Sequence, residues 1–187
     1  MFDSPAKTYS EIQLAIERGV SLNVDNLQEL ERVKEIVGKS NYSVDSNKNY
    51  IGLRINPQIG QGALAGFSTG TRTSKFGIAI EDYEQEILQA MDTCPWLQML
   101  HCHVGSQGCD FSLMTNGIRR VVDLAHTINK RTGRQQIKAI DIGGGLPVNF
   151  ASDQVLPSFE MYSSVLKKAG RLRPRPQWWI PLTSFSL

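Results

Sequence analysis

The sequence predicts an α/β fold, a partial (β/α)8 barrel of the TIM type, and three observations point to it. Over the first 170 residues, short apolar runs alternate with amphipathic helical patterns, which is the signature of right-handed βαβ units around a mainly parallel sheet. Polar, glycine-rich segments follow several different strands: Asn56-Pro57 onward, Gly105-Ser106, and Gly143 to Gly145. A doubly wound sheet gathers its ligand groups at one switch point, whereas a barrel collects them from many strand ends. Finally, about five strands can be read, too few to close a barrel of eight.

The elements follow in order. "TYSEIQLAIERG" places Ile12, Ala15 and Ile16 on one helical face, with Thr8 and Glu11 spaced as a capping box and Gly19 as a stop. "SLNVD" reads as a short strand. "NLQELERVKEIVG" repeats the design, with Asn26 as cap, Leu27, Leu30, Val33 and Val37 as an apolar stripe, and Gly38 as stop. "YIGLRINP" is the next strand, and Tyr83, Ile87, Leu88 and Met91 mark a helix after Ile80. "LQMLHCHVG" is a strand. A long helix follows it, with Phe111, Met114, Ile118, Val121, Val122, Ala125 and Ile128 on one face. "IKAIDI" is a further strand, and a last helix covers roughly Ser158 to Ala169.

Bulk composition bounds the function. The 187 residues are 41% apolar and 20% charged, enough for one domain with a core and without an apolar run that would cross a bilayer. A net charge of +2 gives no argument for nucleic acid. The start "MFDSPAKTYSE" is not a secretory signal, and Cys94, Cys102 and Cys109 form no paired framework, which suits a reducing, cytoplasmic setting. Charge is unevenly spread: after Glu160 there is no acidic residue, while Lys167, Lys168, Arg171, Arg173 and Arg175 are all basic. The segment "RLRPRPQWWIPLTSFSL" also holds two of the three tryptophans and three of the eight prolines. The expected organisation is therefore a partial barrel over 1–169 and an atypical basic Pro/Trp tail over 170–187 that stands outside the fold.

The chemistry-bearing residues sit at strand ends. Gly143, Gly144 and Gly145 offer successive N–H groups without side chains, the makings of an anion nest, and Ser106 offers a hydroxyl and an N–H to the same kind of ligand. The competing reading is a tight turn and a helix cap. There is no G-x-G-x-x-G spacing and no Walker A sequence. His101 and His103 lie two apart on a strand and so share a face, where Asp141 can complete a metal site; the alternative is hydrogen-bonded core histidines. Arg54, a charge inside an apolar strand, requires either a ligand oxygen or a structural carboxylate. The segment Gln58 to Ser74, with four glycines and five hydroxyl residues, reads as a functional loop or as disorder, and Lys75 as a site cation or a surface residue.

Taken in order, "INP…FSTGTRTSKFGI", "LHCHVGSQ" and "IDIGGGLP" resemble the barrel domain of the PLP-dependent decarboxylases, the ornithine, diaminopimelate and arginine decarboxylase family with its alanine-racemase-like fold. "FDSPAKT" and "NVDNLQELERV" are similar to earlier segments of that barrel. The forms STG-x-x-x-SKFG and H-x-H-x-GSQ resemble the diaminopimelate branch. The resemblance implies pyridoxal 5′-phosphate as cofactor, its phosphate on Gly143, Gly144, Gly145 and Ser106, its pyridine ring stacked on His103, and Arg54 nearby. It implies loss of the α-carboxylate from a small amino acid held as an external aldimine, in a homodimer, and it displaces the metal reading.

The sequence also departs from the family pattern. Lys7, Lys34, Lys39, Lys48 and Lys75 are not in the Y-x-x-K-A-N type motif that carries the imine-forming lysine. The E-P-G-R type turn and the C-terminal domain with its catalytic cysteine are likewise not found. The expectation is a truncated or frame-shifted form, inactive alone, with the alternative of a non-catalytic relative that keeps only a phosphate or pyridoxal phosphate pocket.

Overall fold

Strands and helices alternate along the chain in the computed structural model, which describes residues 1–40, 49–59, 74–104, 111–144, 149–154 and 157–169. The order is β1 (Phe2–Asp3), α1 (Tyr9–Glu17), β2 (Leu22–Val24), α2 (Leu27–Lys39), β3 (Ile51–Asn56), β4 (Ile78–Ala79), α3 (Ile80–Thr93), β5 (Leu97–His101), α4 (Phe111–Thr132), β6 (Ala139–Asp141) and α5 (Phe159–Ala169). All described pairings are parallel, in the order β1-β2-β3-β5-β6, with β4 pairing β3 off that path. This is the partial barrel that the sequence predicts.

Local signals explain where the elements start and stop. Thr8 and Glu11 close the expected capping box: the Thr8 amide donates to Glu11 Oε2 at 2.7 Å and the Glu11 amide to Thr8 Oγ1 at 3.4 Å. Asn26 caps α2 by accepting from the Glu29 amide at 2.8 Å. Gly19, at φ +65°, ends α1 as expected. Gly38 does not end α2, which continues to Lys39 with Ser40 as its cap. An isolated glycine is tolerated inside a helix when the apolar stripe keeps packing, and here Val33 and Ile36 are buried in the turn before it. Tyr83 is also not part of the buried stripe: its backbone leaves the helical region at a kink, and the ring is exposed. The α4 stripe is as predicted, from Met114 to Ile128.

The pairing register sorts side chains into two faces. Leu22, Ile51 and Leu97 align, as do Val24, Leu53, Leu100 and Ile140. These pack in one apolar cluster with Ile12, Val33, Ile87 and Val121 from the helices. The alternate positions, Asp3, Asn23, Gly52, Arg54, Met99, His101, Ala139 and Asp141, align on the other face. Between β3 and β5 the register shifts at Ile51/Gly52, so that Gln98 is an extra residue on β5. Gly52 is required there, because a Cβ would fall 2.7 Å from the Met99 carbonyl oxygen. Among the described residues, no helix is long and apolar enough to cross a membrane.

Candidate functional site

The inner face carries a cluster of charges where the strands end. Arg54 on β3 is buried, with Nη1 3.4 Å from Asp3 Oδ2 and 3.6 Å from Asp25 Oδ1, and its guanidinium lies 5.0 Å from the Phe76 ring centroid. Of the two partners anticipated for it, structural carboxylates are the ones present. His101 on β5 has Nδ1 2.7 Å from Asp141 Oδ2 and Nε2 3.3 Å from Asp3 Oδ2. Neither approach is aligned with the ring N–H, so these are ion pairs rather than linear hydrogen bonds. Asn23 on β2 donates from Nδ2 to Asp141 Oδ2 at 3.1 Å.

These contacts join β1 to β5 and β2 to β6, strands that are not neighbours in the sheet. Only strong curling lets them meet, so the polar cluster lies inside a half-barrel. Burial opposes the charge on His101, but the two carboxylates outweigh it and push the ring up to about 9. Burial likewise opposes ionisation of Asp141 and Asp3, yet His101 holds both below the usual carboxylate range. Asp25 goes the other way, raised by burial.

His103 shares the His101 face but behaves differently. Burial lowers its pKa first, and the positive charges of His101 and Arg54 lower it further, so the ring is neutral at pH 7. Gly143 packs directly on it: at φ +66°, a Cβ there would lie 2.9 Å from His103 Nδ1 and 3.1 Å from the Cys102 carbonyl oxygen. The Gly143 amide donates to Asp141 Oδ1 at 3.0 Å, so this glycine contributes shape while its N–H is engaged. Gly144 is exposed, with His103 Cε1 3.9 Å from its Cβ position. Ser106 and Gly145 lie outside the described residues, as do most of the 58–74 segment and the 170–187 tail. Lys75 is exposed, over the Phe76 ring at 5.2 Å.

The metal alternative does not survive the geometry. Both nitrogens of His101 face carboxylates, and no group of three or more His, Cys, Asp or Glu among the described residues is placed to hold a metal ion.

Sequence reasoning missed three supports. Lys7, considered only as an imine-forming lysine, has a fully buried side chain paired with Glu29 at 3.1 Å, and it donates to the Ser4 carbonyl. Glu29 Oε2 also accepts from the Asp25 amide at 2.7 Å, which anchors that carboxylate beside Arg54. Gln58, at φ +49°, uses its Oε1 to accept from the Glu81 amide at 2.7 Å and so caps α3 from a distance. Arg120 on α4 holds the same loop, donating to the Pro57 carbonyl at 2.6 Å and to Glu81 Oε1 at 3.0 Å. Lys7 lies outside every element predicted from the sequence and Glu29 off the apolar stripe of its helix, so no local pattern pairs them.

A curled parallel half-barrel with ligand-type groups at the carboxyl ends of its strands defines the class of a (β/α)-barrel ligand-binding domain. Residues 1–175 match the family of the pyridoxal-dependent decarboxylases, pyridoxal binding domain, and the chain belongs to that family. It is 29% identical over 185 residues to the diaminopimelate decarboxylase of Archaeoglobus fulgidus, covering 96% of this chain and 42% of that protein. The enzyme of the same name from Bacteroides thetaiotaomicron is 30% identical over 181 residues, covering 94% and 44%. Among solved structures, diaminopimelate decarboxylase from M. jannaschii in complex with L-lysine superimposes with a TM-score of 0.69 at 26% identity, over 88% of this chain and 37% of that one. The Helicobacter pylori enzyme, also with L-lysine, gives 0.68 at 24% identity over 89% and 41%, and shares the fold. The chain thus spans less than half the length of the relatives it matches.

Proposed function

We propose that this chain forms the cofactor-holding part of a pyridoxal-phosphate-dependent amino-acid decarboxylase of the diaminopimelate type, cytoplasmic and homodimeric in its working form, with a small amino acid as substrate. The observation that carries the reading is the Gly143 backbone pressed against the His103 ring at the mouth of the charged interior. The residues fit the cofactor's ring and phosphate in shape. A neutral imidazole suits a stacked aromatic ring, and a side-chain-free turn beside it suits a phosphate.

Within this reading His103 would stack on the pyridine ring. Gly144 and Gly145, with Ser106, would donate to the phosphate, while Gly143 sets the turn. Arg54, fixed by Asp3, Asp25 and Phe76, would add positive field at the rim. Pyridoxal phosphate, when bound, supplies an electron sink for the pair left when the α-carboxylate departs. His101 keeps the interior charge fixed beneath it. The basic tail from residue 170 stands outside the barrel in this proposal.

The test compares pyridoxal phosphate with pyridoxal, which lacks the phosphate, by fluorescence titration of the full chain. Pyridoxal phosphate should bind at least about tenfold more tightly, the worth of one or two charge-assisted hydrogen bonds. Gly143→Ala should remove that preference. After borohydride treatment, mass spectrometry should find pyridoxyl groups scattered over exposed lysines and no single preferred one, since no lysine here lies in the expected motif. Equal binding of the two compounds would overturn the phosphate assignment.

A further inference from the structure

The Gly143 turn has an electrostatic problem. Its own amide is tied to Asp141, so a carboxylate held in the ionised form lies directly under a turn read as a phosphate cradle. Like charges this close repel by several kcal/mol at protein-like dielectric unless something compensates them. His101, 2.7 Å from the other oxygen of the same carboxylate, is the only positive group that the described residues place against Asp141 at ion-pair distance.

We propose that His101 is the counter-charge that lets Asp141 sit beneath an anion-binding turn, which makes His101 a positioning residue for the phosphate group. The inference rests on the pyridoxal phosphate reading above. Asp141 is the arm between them: one oxygen orients the Gly143 amide, and the other meets His101 and the Asn23 amide. The arrangement is asymmetric by design of the strand. His101 and His103 alternate with the outward Cys102, so the charged ring lies deeper and the neutral one lies against the turn. The groups facing His101 are Asp3 from β1, Arg54 from β3 through Asp3, and Asp141 from β6; His103 is on its own strand segment. Asp25 and the Lys7–Glu29 pair complete the surrounding charge. A structural histidine with no electrostatic task would not need both nitrogens against carboxylates.

The experiment uses the full chain, with inorganic phosphate and pyridoxal phosphate as probes in calorimetric titrations. His101→Gln should weaken both by about tenfold, the effect of one unit charge acting over several ångströms of protein. Asp141→Asn alone, which keeps an oxygen for the Gly143 amide but removes the like charge, should bind more tightly than the unmodified chain, and weaker binding would overturn the inference. Most tellingly, the double variant His101→Gln/Asp141→Asn should recover to within about twofold, because a coupled pair is non-additive. A purely packing role predicts no such rescue. Binding by His101→Gln equal to the unmodified chain, or a double variant as weak as the single, would overturn the inference while leaving the site reading intact. Failure of the unmodified chain to bind either probe would overturn both. If His101→Gln does not fold, the pH profile of the unmodified chain decides. Phosphate affinity lost as pH rises through about 9 supports the counter-charge, and constant affinity across that range overturns it.

Discussion

The two faces of one sheet follow opposite rules in this protein. On the outer face, Leu22, Val24, Ile51, Leu53, Ile55 and Leu100 are sealed under helices, and their contribution is area removed from water. On the inner face, at the intervening positions, Asn23, Arg54 and His101 are nearly as buried, yet they hold together through ion pairs and a hydrogen bond to Asp3 and Asp141. Parallel strands covered on both sides usually read as continuous apolar runs. Polar residues at the inward positions of a parallel sheet, here Asp3, Asn23, Arg54, His101 and Asp141, therefore mark an interior kept for polar work. The difference teaches that equal burial says nothing about why a residue is buried.

The sharpest way to break the comparison is at Lys7. Its side chain and that of Glu29 are both fully buried, so Lys7→Met leaves a carboxylate uncompensated and should cost about 3–5 kcal/mol in urea denaturation. Adding Glu29→Leu should return most of that loss. A loss no larger than that of an exposed pair would mean that the buried Lys7–Glu29 pair, which holds Asp25 beside Arg54, does not support the charged cluster. On the outer face, Leu53→Ala should cost about 3 kcal/mol through a cavity. That cost should be the same at pH 7 and pH 9, since the residues aligned with Leu53 in the sheet, Val24, Leu100 and Ile140, do not titrate.

The third prediction concerns pH. His101 has a folded pKa of about 9 against 6.5 for the free side chain, so its stabilisation is fully present below about 6.5 and is lost as pH rises through 9. Over that window stability should fall by about 1.4 kcal/mol per pH unit. Asp3 and Asp141 are lowered instead, so their contribution is present above 3.8 and is lost as pH falls through their folded values. Thermal melts from pH 6 upward should show the alkaline decline in the unmodified chain, and a much flatter profile in His101→Gln. An equally steep decline in that variant would assign the effect to another group.

Most of the fold was legible because its signals are local. The capping box at Thr8, the cap at Asn26 and the stripe on α4 each depend on residues within a few positions of one another. The limits of local reading show at Gly38, where the helix runs past a stop signal, and at Tyr83, where a backbone kink turns a stripe position outward. For the candidate site, the motif residues His103 and Gly143 could be named from sequence because their order along the chain carries the family resemblance. That Gly143 rests on the His103 ring could not, since it depends on how β5 and β6 pair. The charge cluster was hidden for the same reason. Asp3 and His101 are 98 positions apart and meet only because the sheet curls.

The alternation in "HCHVG" also has a consequence for reactivity. Cys102 stands between the two histidines in sequence but belongs to the opposite layer, completely buried, with burial pushing its thiol up to about 12. An electrophile that enters the mouth of the half-barrel meets imidazole on either side of this cysteine and never its sulfur. Alkylation of Cys102 therefore requires the layers to part. The rate at which that one thiol is labelled is a clock for how often the sheet opens, running at the floor of the site without disturbing any group that lines it.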